Sequence, residues 1–267
     1  VAPLIAIFSV LFGLAFGSFL NVCISRLPRH TSIVSPGSRC PACGTSISPR
    51  DNLPLLSWFL LGGRARCCNW KIPVRYPLIE LATALLFVLC YLTFGLTLTT
   101  AGMALFCFLL LGLAAMDAEF LLLPDAFTLP GIILGILYTG IVDGVRAAAW
   151  SFVYALLAAL LILLVRGGYW LVRRREGMGL GDAKLLAMIA AWLGPEQALL
   201  VFFLGIVSGA VFGLLAAAMM HICRSAYPDQ VPIRHRALPF GSFLCAAALY
   251  AIFAGAQTLK WYLHFFH

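Results

Sequence analysis

The chain has 267 residues, of which 63% are hydrophobic and only 10% charged, and its formal net charge is +8. A soluble domain carries about 25% charged residues. One of this size could not bury so much apolar surface, because most of a folded exterior must face water. A soluble globular fold is therefore excluded, and a bilayer, which takes about 20 apolar residues per helical crossing, removes the constraint.

Apolar stretches recur in chain order at 2–22, 78–96, 99–116, 130–142, 147–165, 185–193, 198–220 and 240–256. They predict an all-α, polytopic membrane helix bundle of about eight transmembrane helices. The stretches 130–142 and 185–193 are short and need their flanks or neighbouring helices to span. The stretch 2–22 lacks a basic leading segment and a small-x-small site before Arg26, so it reads as a retained helix.

The basic residues explain the net charge. Arg26, Arg29, Arg39, Arg50, Arg64, Arg66, Lys71 and Arg75 fall between the first two helices. Arg166, Arg173, Arg174 and Arg175 follow the fifth, and Arg224, Arg234 and Arg236 follow the seventh. With eight helices these loops share one side, so 15 of the 18 basic residues mark the cytoplasm and both termini face away from it. No nucleic-acid partner is needed to account for the charge. One hydrophilic stretch is long enough to fold by itself, which divides the chain into a first transmembrane helix (1–26), a small cytoplasmic Cys-containing insertion (27–76) and a membrane-embedded bundle (77–267).

The ten acidic residues can be judged singly. Asp51, Asp143, Glu176, Glu196 and Asp229 fall in loops or at helix ends and read as solvated. Glu80 and Glu119 lie near boundaries, where basic residues can pair with them. Asp117 closes the third apolar helix and Asp182 opens the sixth. An ionisable group at this depth is costly and marks function by default, although Asp182 also suits a helix N-terminus. The alternating Gly177, Gly179 and Gly181 before it suggest irregular backbone, which at membrane depth lines protein or water and would let a substrate strand approach. Asp125, after Pro124, is the competing carboxylate. It precedes an apolar helix and reads as an N-cap.

Two aspartates from different elements can hydrolyse a peptide without a metal. Placed close together they share a proton. The ionised one takes a proton from water while the protonated one hydrogen-bonds the scissile carbonyl. Of the cysteines, Cys23, Cys90, Cys107, Cys223 and Cys245 lie on or beside apolar helices and read as small buried hydrophobes. Cys40, Cys43, Cys67 and Cys68 lie in the insertion, where a reducing cytosol disfavours disulfides and two thiol pairs read as a tetrahedral zinc site.

Several motifs in order resemble the type IV prepilin peptidases, intramembrane Gly-x-Gly-Asp aspartyl proteases, along nearly the whole chain. They are Gly13-Leu-Ala-Phe-Gly17-Ser18-Phe19-Leu20-Asn21-Val22 with Arg26-Leu27-Pro28, Cys40-Pro41-Ala-Cys43, Asp51-Asn52-Leu-Pro54-Leu-Leu-Ser57-Trp58, Arg75-Tyr76-Pro77-Leu-Ile-Glu80, Asp117 with Leu123-Pro124-Asp125, and Gly179-Leu-Gly181-Asp182-Ala-Lys184. Gly-x-Gly-Asp alone is weak, but the ordered set is specific.

The resemblance implies an enzyme of the bacterial inner membrane that removes the leader of prepilins or pseudopilins at the cytoplasmic face, serving type IV pili or type II secretion. It maps the catalytic pair onto Asp117 and Asp182, within a site loop containing Pro124, Asp125, Gly179, Gly181 and Lys184. It also implies N-methylation of the new N-terminus with S-adenosylmethionine, for which the spacing gives no binding residues. The family pattern of two Cys-x-x-Cys pairs is broken here, because Ala65 stands where the third cysteine is expected. That leaves Cys40, Cys43 and Cys68 as ligands, with Cys67 or His30 as a substitute donor, and a metal-free subdomain as the alternative. Adjacent side chains tend to diverge, which counts against Cys67 and Cys68 reaching one ion.

Two readings compete with the protease. One is a transporter using Asp117, Asp125 and Asp182 as a proton relay, which fits intramembrane carboxylates but lacks an internal repeat. The other is a thiol oxidoreductase built on Cys40-Pro-Ala-Cys43, which lacks the helix start that activates such a pair.

Overall fold

In a computed structural model the chain is described over residues 2–174, 179–226 and 238–265. Among the described residues all regular structure is helical, apart from two single antiparallel bridges, Arg39–Ser46 and Arg64–Lys71. The α-helices are α1 (Ala2–Arg26), a one-turn α2 (Leu56–Leu60), α3 (Arg75–Phe94), α4 (Leu98–Phe120), α5 (Asp125–Asp143), α6 (Val145–Arg173), α7 (Leu180–Leu193), α8 (Pro195–Ala226), α9 (Phe240–Tyr250) and α10 (Ala256–Phe265). A π-helical turn, Ala251–Gly255, joins the last two.

Seven stretches among the described residues are long and apolar enough to cross a membrane, α9 and α10 counting together as one. The expected count of about eight thus resolves into seven long helices and a short one. The segment 130–142 recruits its flanks and becomes the 19-residue α5. The segment 185–193 extends only to the 14 residues of α7. At 1.5 Å per residue that is about 21 Å, short of the ~30 Å hydrocarbon core. Gly194, at φ +82°, and Pro195 stop it. The long helices have lipid-suited faces: α6 exposes Phe152, Leu156, Leu160 and Leu164.

The chain forms two compact units, 1–112 and 113–267. In the first, α1 lies along α3. Gly13 and Gly17 allow this contact. A methyl group at either would sit 2.6 Å from a backbone Cα of α3, that of Ala84 or of Glu80. Small residues four apart let helix backbones approach where no hydrophobic force drives them together. Phe16 packs on Phe87 and Phe108, and the Cys90 and Cys107 sulfurs touch at 3.8 Å. Cys23, Cys90, Cys107 and, in the second unit, Cys245 are buried as expected. The Cys223 side chain lies outside the described residues.

The second unit is organised around α7, which packs against α5, α6, α8 and α9. From Asp182 to Trp192 only Lys184 is not fully buried. Polar ties fasten its far end. Ser151 Oγ donates to the Ala191 carbonyl at 2.8 Å, and Trp192 Nε1 donates to the Gly131 carbonyl at 2.8 Å. These bonds satisfy groups that have no water partner in a bilayer. They fasten the far end of the helix whose first turn carries Asp182.

Candidate functional site

Asp117 and Asp182 both belong to the second unit, and both are buried, at 5% and 8% exposure. Asp117 lies in the last turn of α4 and Asp182 in the first turn of α7, within electrostatic range of one another. Each is held through one oxygen. Asp117 Oδ2 accepts the Ser242 N–H at 2.6 Å, and the Ser242 hydroxyl sits 3.0 Å from the same oxygen. Asp182 Oδ2 accepts the Gly179 N–H at 3.1 Å, reaching back to cap its own helix. Among the described residues no hydrogen bond engages Oδ1 of either carboxylate. The helix N-terminus reading of Asp182 is thus borne out, and the cap occupies only one of its two oxygens.

Leu123 packs against both Gly181 of α7 and Gly241 of α9. A methyl group at Gly181 would meet Leu123 Cβ at 3.1 Å, and one at Gly241 would meet Leu123 Cδ1 at 3.0 Å and Asp117 Cγ at 3.1 Å. Gly181 thus serves close packing inside α7, not an irregular strand-binding backbone as its spacing suggested. Of Gly179 and Gly181, the former alone, extended at φ −75° and ψ 150°, departs from the helix. Gly177 lies outside the described residues, as do Glu176 and Asp229.

Asp125 also differs from its expected role. Pro124 is the N-cap of α5, and Asp125 is its first residue, with no side-chain cap bond. The Asp125 carboxylate turns to Lys184 of α7 and forms an ion pair with it. A cation across the site outcompetes a backbone N–H one turn away. Asp143 and Glu196 are exposed at helix ends, as expected.

Ser242 and Gly241 were not singled out from the sequence. Their only signal is a pair of small residues after Pro239, where an apolar helix starts. Such pairs are common at helix starts, and 125 residues separate Ser242 from Asp117.

In the first unit, Cys40, Cys43, Cys67 and Cys68 converge, with all four sulfurs within 4.8 Å of one another. Sulfurs on a tetrahedral zinc, bonded at ~2.3 Å, stand about 3.8 Å apart. Here Cys40–Cys68 is 3.6 Å, Cys43–Cys67 3.3 Å and Cys67–Cys68 3.9 Å. The donor set fits a thiophilic ion, and the adjacent pair does reach one centre, against expectation. His30 is not in the group.

Two matching turns explain this. In the first, the Cys40 N–H donates to Thr45 O and the Gly44 N–H to Cys40 O, with Gly44 at φ +74°. In the second, the Ala65 N–H donates to Trp70 O and the Asn69 N–H to Ala65 O, with Asn69 at φ +59°. Ala65 is thus the counterpart of Cys40, and Cys67 supplies the sulfur missing there from two residues further on. Hydrogen bonding with Thr45 and then Cys67 pulls the Cys43 thiol down to about 6. The bond with Cys43 pushes Cys67 up to about 12. Holding a metal would require these thiols to give up their protons.

Two acidic residues of this unit are not where their positions suggested. Asp51 is not solvated: Arg66 Nε and Nη2 both bond its carboxylate. Glu80, 8% exposed, accepts the Leu55 N–H at 2.8 Å rather than pairing with a base. Burial along α1 leaves it the insertion backbone and the Ser18 hydroxyl of α1 as its donors.

The bacterial peptidase A24 N-terminal domain model matches residues 11–94, and the type IV leader peptidase family model matches residues 103–214. The Prepilin leader peptidase/N-methyltransferase of Pseudomonas aeruginosa is 34% identical over 282 residues, covering 96% of this chain and 93% of that protein. The chain belongs to the type IV leader peptidase family. Proteins of the same name from Myxococcus xanthus and Klebsiella pneumoniae are 40% and 42% identical, over 80% and 70% of this chain and 63% and 84% of their own lengths. No solved structure matches. As a leader peptidase family member the chain is a multi-pass membrane protein, and the transporter reading finds no support in these relatives.

Proposed function

We infer that this chain is a prepilin leader peptidase and N-methyltransferase, with Asp117 and Asp182 as the proteolytic dyad. The observation that carries the reading is the pairing of two buried carboxylates, from the end of α4 and the start of α7, in a chain of this family. One carboxylate, ionised, takes a proton from the attacking water. The other, protonated, donates to the scissile carbonyl and then passes its proton to the leaving amine. Ser242 and Gly179 hold Oδ2 of each group, which leaves Oδ1 to face water and peptide. Rigid placement of both groups supplies the proximity on which such catalysis depends.

By the positive-inside rule, the ends of α4, α7 and α9 that carry Asp117, Asp182 and Ser242 would face the cytoplasm. A prepilin leader, basic and cytoplasmic, would arrive there, and pseudopilins have the same chemistry. For the second activity, S-adenosylmethionine would supply a methyl group from its sulfonium: the new amine gains the methyl and loses a proton to water, and sulfur keeps the electron pair of the broken bond. Cys40, Cys43, Cys67 and Cys68 would hold one zinc ion that crosslinks the two turns of the insertion.

Purified protein in lipid nanodiscs, incubated with a prepilin and S-adenosylmethionine, tests the reading. Mass spectrometry should find a pilin without its leader and heavier by one methyl group. An intact prepilin would refute the peptidase, and a cleaved but unmethylated pilin would refute the second activity alone.

A further inference from the structure

Leu121, Leu122 and Leu123 follow one another between α4 and α5, and nothing in the sequence tells them apart. The fold does: Leu121 and Leu122 are exposed, whereas Leu123 is half-buried against two helix starts.

We propose that Leu123 is a positioning residue for the proteolytic dyad, a spacer that sets the separation of the first turns of α7 and α9. The proposal rests on the peptidase reading given above. Three observations support it.

First, Leu123 touches the backbone beside both carboxylates. The three atoms nearest to a methyl group on Gly181 would all be its own, Cβ at 3.1 Å, Cδ1 at 3.2 Å and Cγ at 3.5 Å. Gly181 directly precedes Asp182. A methyl group on Gly241 would meet Leu123 Cδ1 at 3.0 Å, and Asp117 Cγ and Oδ2 at 3.1 Å. Gly241 directly precedes Ser242, which holds Asp117. One side chain thus fills the gap between the backbone that carries Asp182 and the backbone that holds Asp117.

Second, Leu123 is anchored on both sides. The Leu121 N–H donates to the Asp117 carbonyl at 2.9 Å, with Leu121 at φ +54°. Glycine is the usual residue for a left-handed turn at a helix end. Other residues keep such a conformation where their surroundings over-determine it, often at active sites. On the other side Pro124 is buried, and its carbonyl accepts the Phe127 and Thr128 N–H groups at 3.0 and 3.1 Å.

Third, the other ties on α7 do not set this separation. Ser151 and Trp192 fasten its far end. Beside the dyad, the pair of Lys184 with Asp125 is largely exposed, and such pairs hold weakly. The Leu123 contact, half-buried and against backbone, is the firmer of the two.

Misplacing reacting groups by about 1 Å costs about 100-fold in rate, so a spacer at this point acts on the chemical step. In nanodiscs, Leu123→Ala should lower kcat for leader cleavage by about tenfold or more per mole of folded protein. KM should change by less than about threefold. A residue that served stability alone would lower the unfolding temperature and leave kcat as it was. Leu123→Met, which keeps the volume, should restore most of the rate. Gly181→Ala should also lower kcat, because the methyl group pushes on Leu123 although alanine favours the helix. When Gly181→Ala is combined with Leu123→Ala, the new methyl group partly refills the gap. The combined loss should then be smaller than the product of the single losses.

An unchanged kcat in folded Leu123→Ala, with prepilin cleaved by the parent, would overturn the spacer and leave the peptidase standing. Single losses that simply multiply would do the same. A rise in KM alone would make Leu123 a substrate contact and overturn its positioning role. If Leu123→Ala does not fold, an unchanged kcat in Gly181→Ala overturns the spacer in its place. A parent that leaves prepilin intact would overturn the peptidase reading, and this role with it.

Discussion

Ser242 meets Asp117 twice, with its N–H 2.6 Å and its hydroxyl 3.0 Å from Oδ2. The hydroxyl is also 3.0 Å from the Ala114 carbonyl, so it ties the start of α9 to the last turn of α4 at the Asp117 carboxylate. Ser242→Ala leaves the backbone bond in place and should lower kcat for leader cleavage by about tenfold, with KM little changed. Ser242→Thr should restore most of the rate. A KM effect alone would mean that Ser242 contacts substrate instead.

Asp117→Asn and Asp182→Asn should each abolish leader cleavage while expression and membrane insertion persist. Asn keeps the shape but cannot exchange the shared proton. The double variant should be no worse than either single one, because the two groups act as a unit. Methyl transfer to an already cleaved pilin should survive in all three, as a mass-spectrometric assay on that substrate would show.

The Asp125–Lys184 pair is 58% and 36% exposed at its side chains, so it should add little stability. A double-mutant cycle with Asp125→Asn and Lys184→Met, read by thermal unfolding, should give a coupling of roughly 0.2–1 kcal/mol. Cleavage should persist in Asp125→Asn. An inactive Asp125→Asn beside an active Asp117→Asn would reassign the dyad.

Metal analysis should find about one zinc per chain, as tight thiolate sites do. Cys67→Ser and Cys40→Ser should each lose it. Because Ala65 occupies the place of Cys40 in the second turn, the double change Cys67→Ala with Ala65→Cys should bind zinc again. Folded, active protein without metal would refute the zinc site.

Reporters fused near Arg50 and Arg174 should report cytoplasm. A reporter at the C-terminus should report the opposite side if α7 crosses. The same side would mean that the 14 residues of α7 enter the bilayer without spanning it.

The membrane class, the positions of the apolar helices and the two carboxylates were legible in the sequence, because a bilayer imposes long apolar runs and makes a charge inside one conspicuous. Asp117 and Asp182 stood out for that reason. Other roles depended on what the side chains meet once the chain is folded. Asp125 looked like a cap until α7 placed Lys184 opposite it. Cys67 looked unable to join Cys68 until matched turns with Gly44 and Asn69 at positive φ turned both sulfurs to one centre. Ser242 carried no distinguishing signal, since a small residue at a helix start is ordinary and its partner is 125 residues away. Local pattern determined which segments enter the membrane and which groups are costly there. Only tertiary packing decided which distant donor meets each group, because a buried polar atom takes whichever partner the fold brings within about 3 Å.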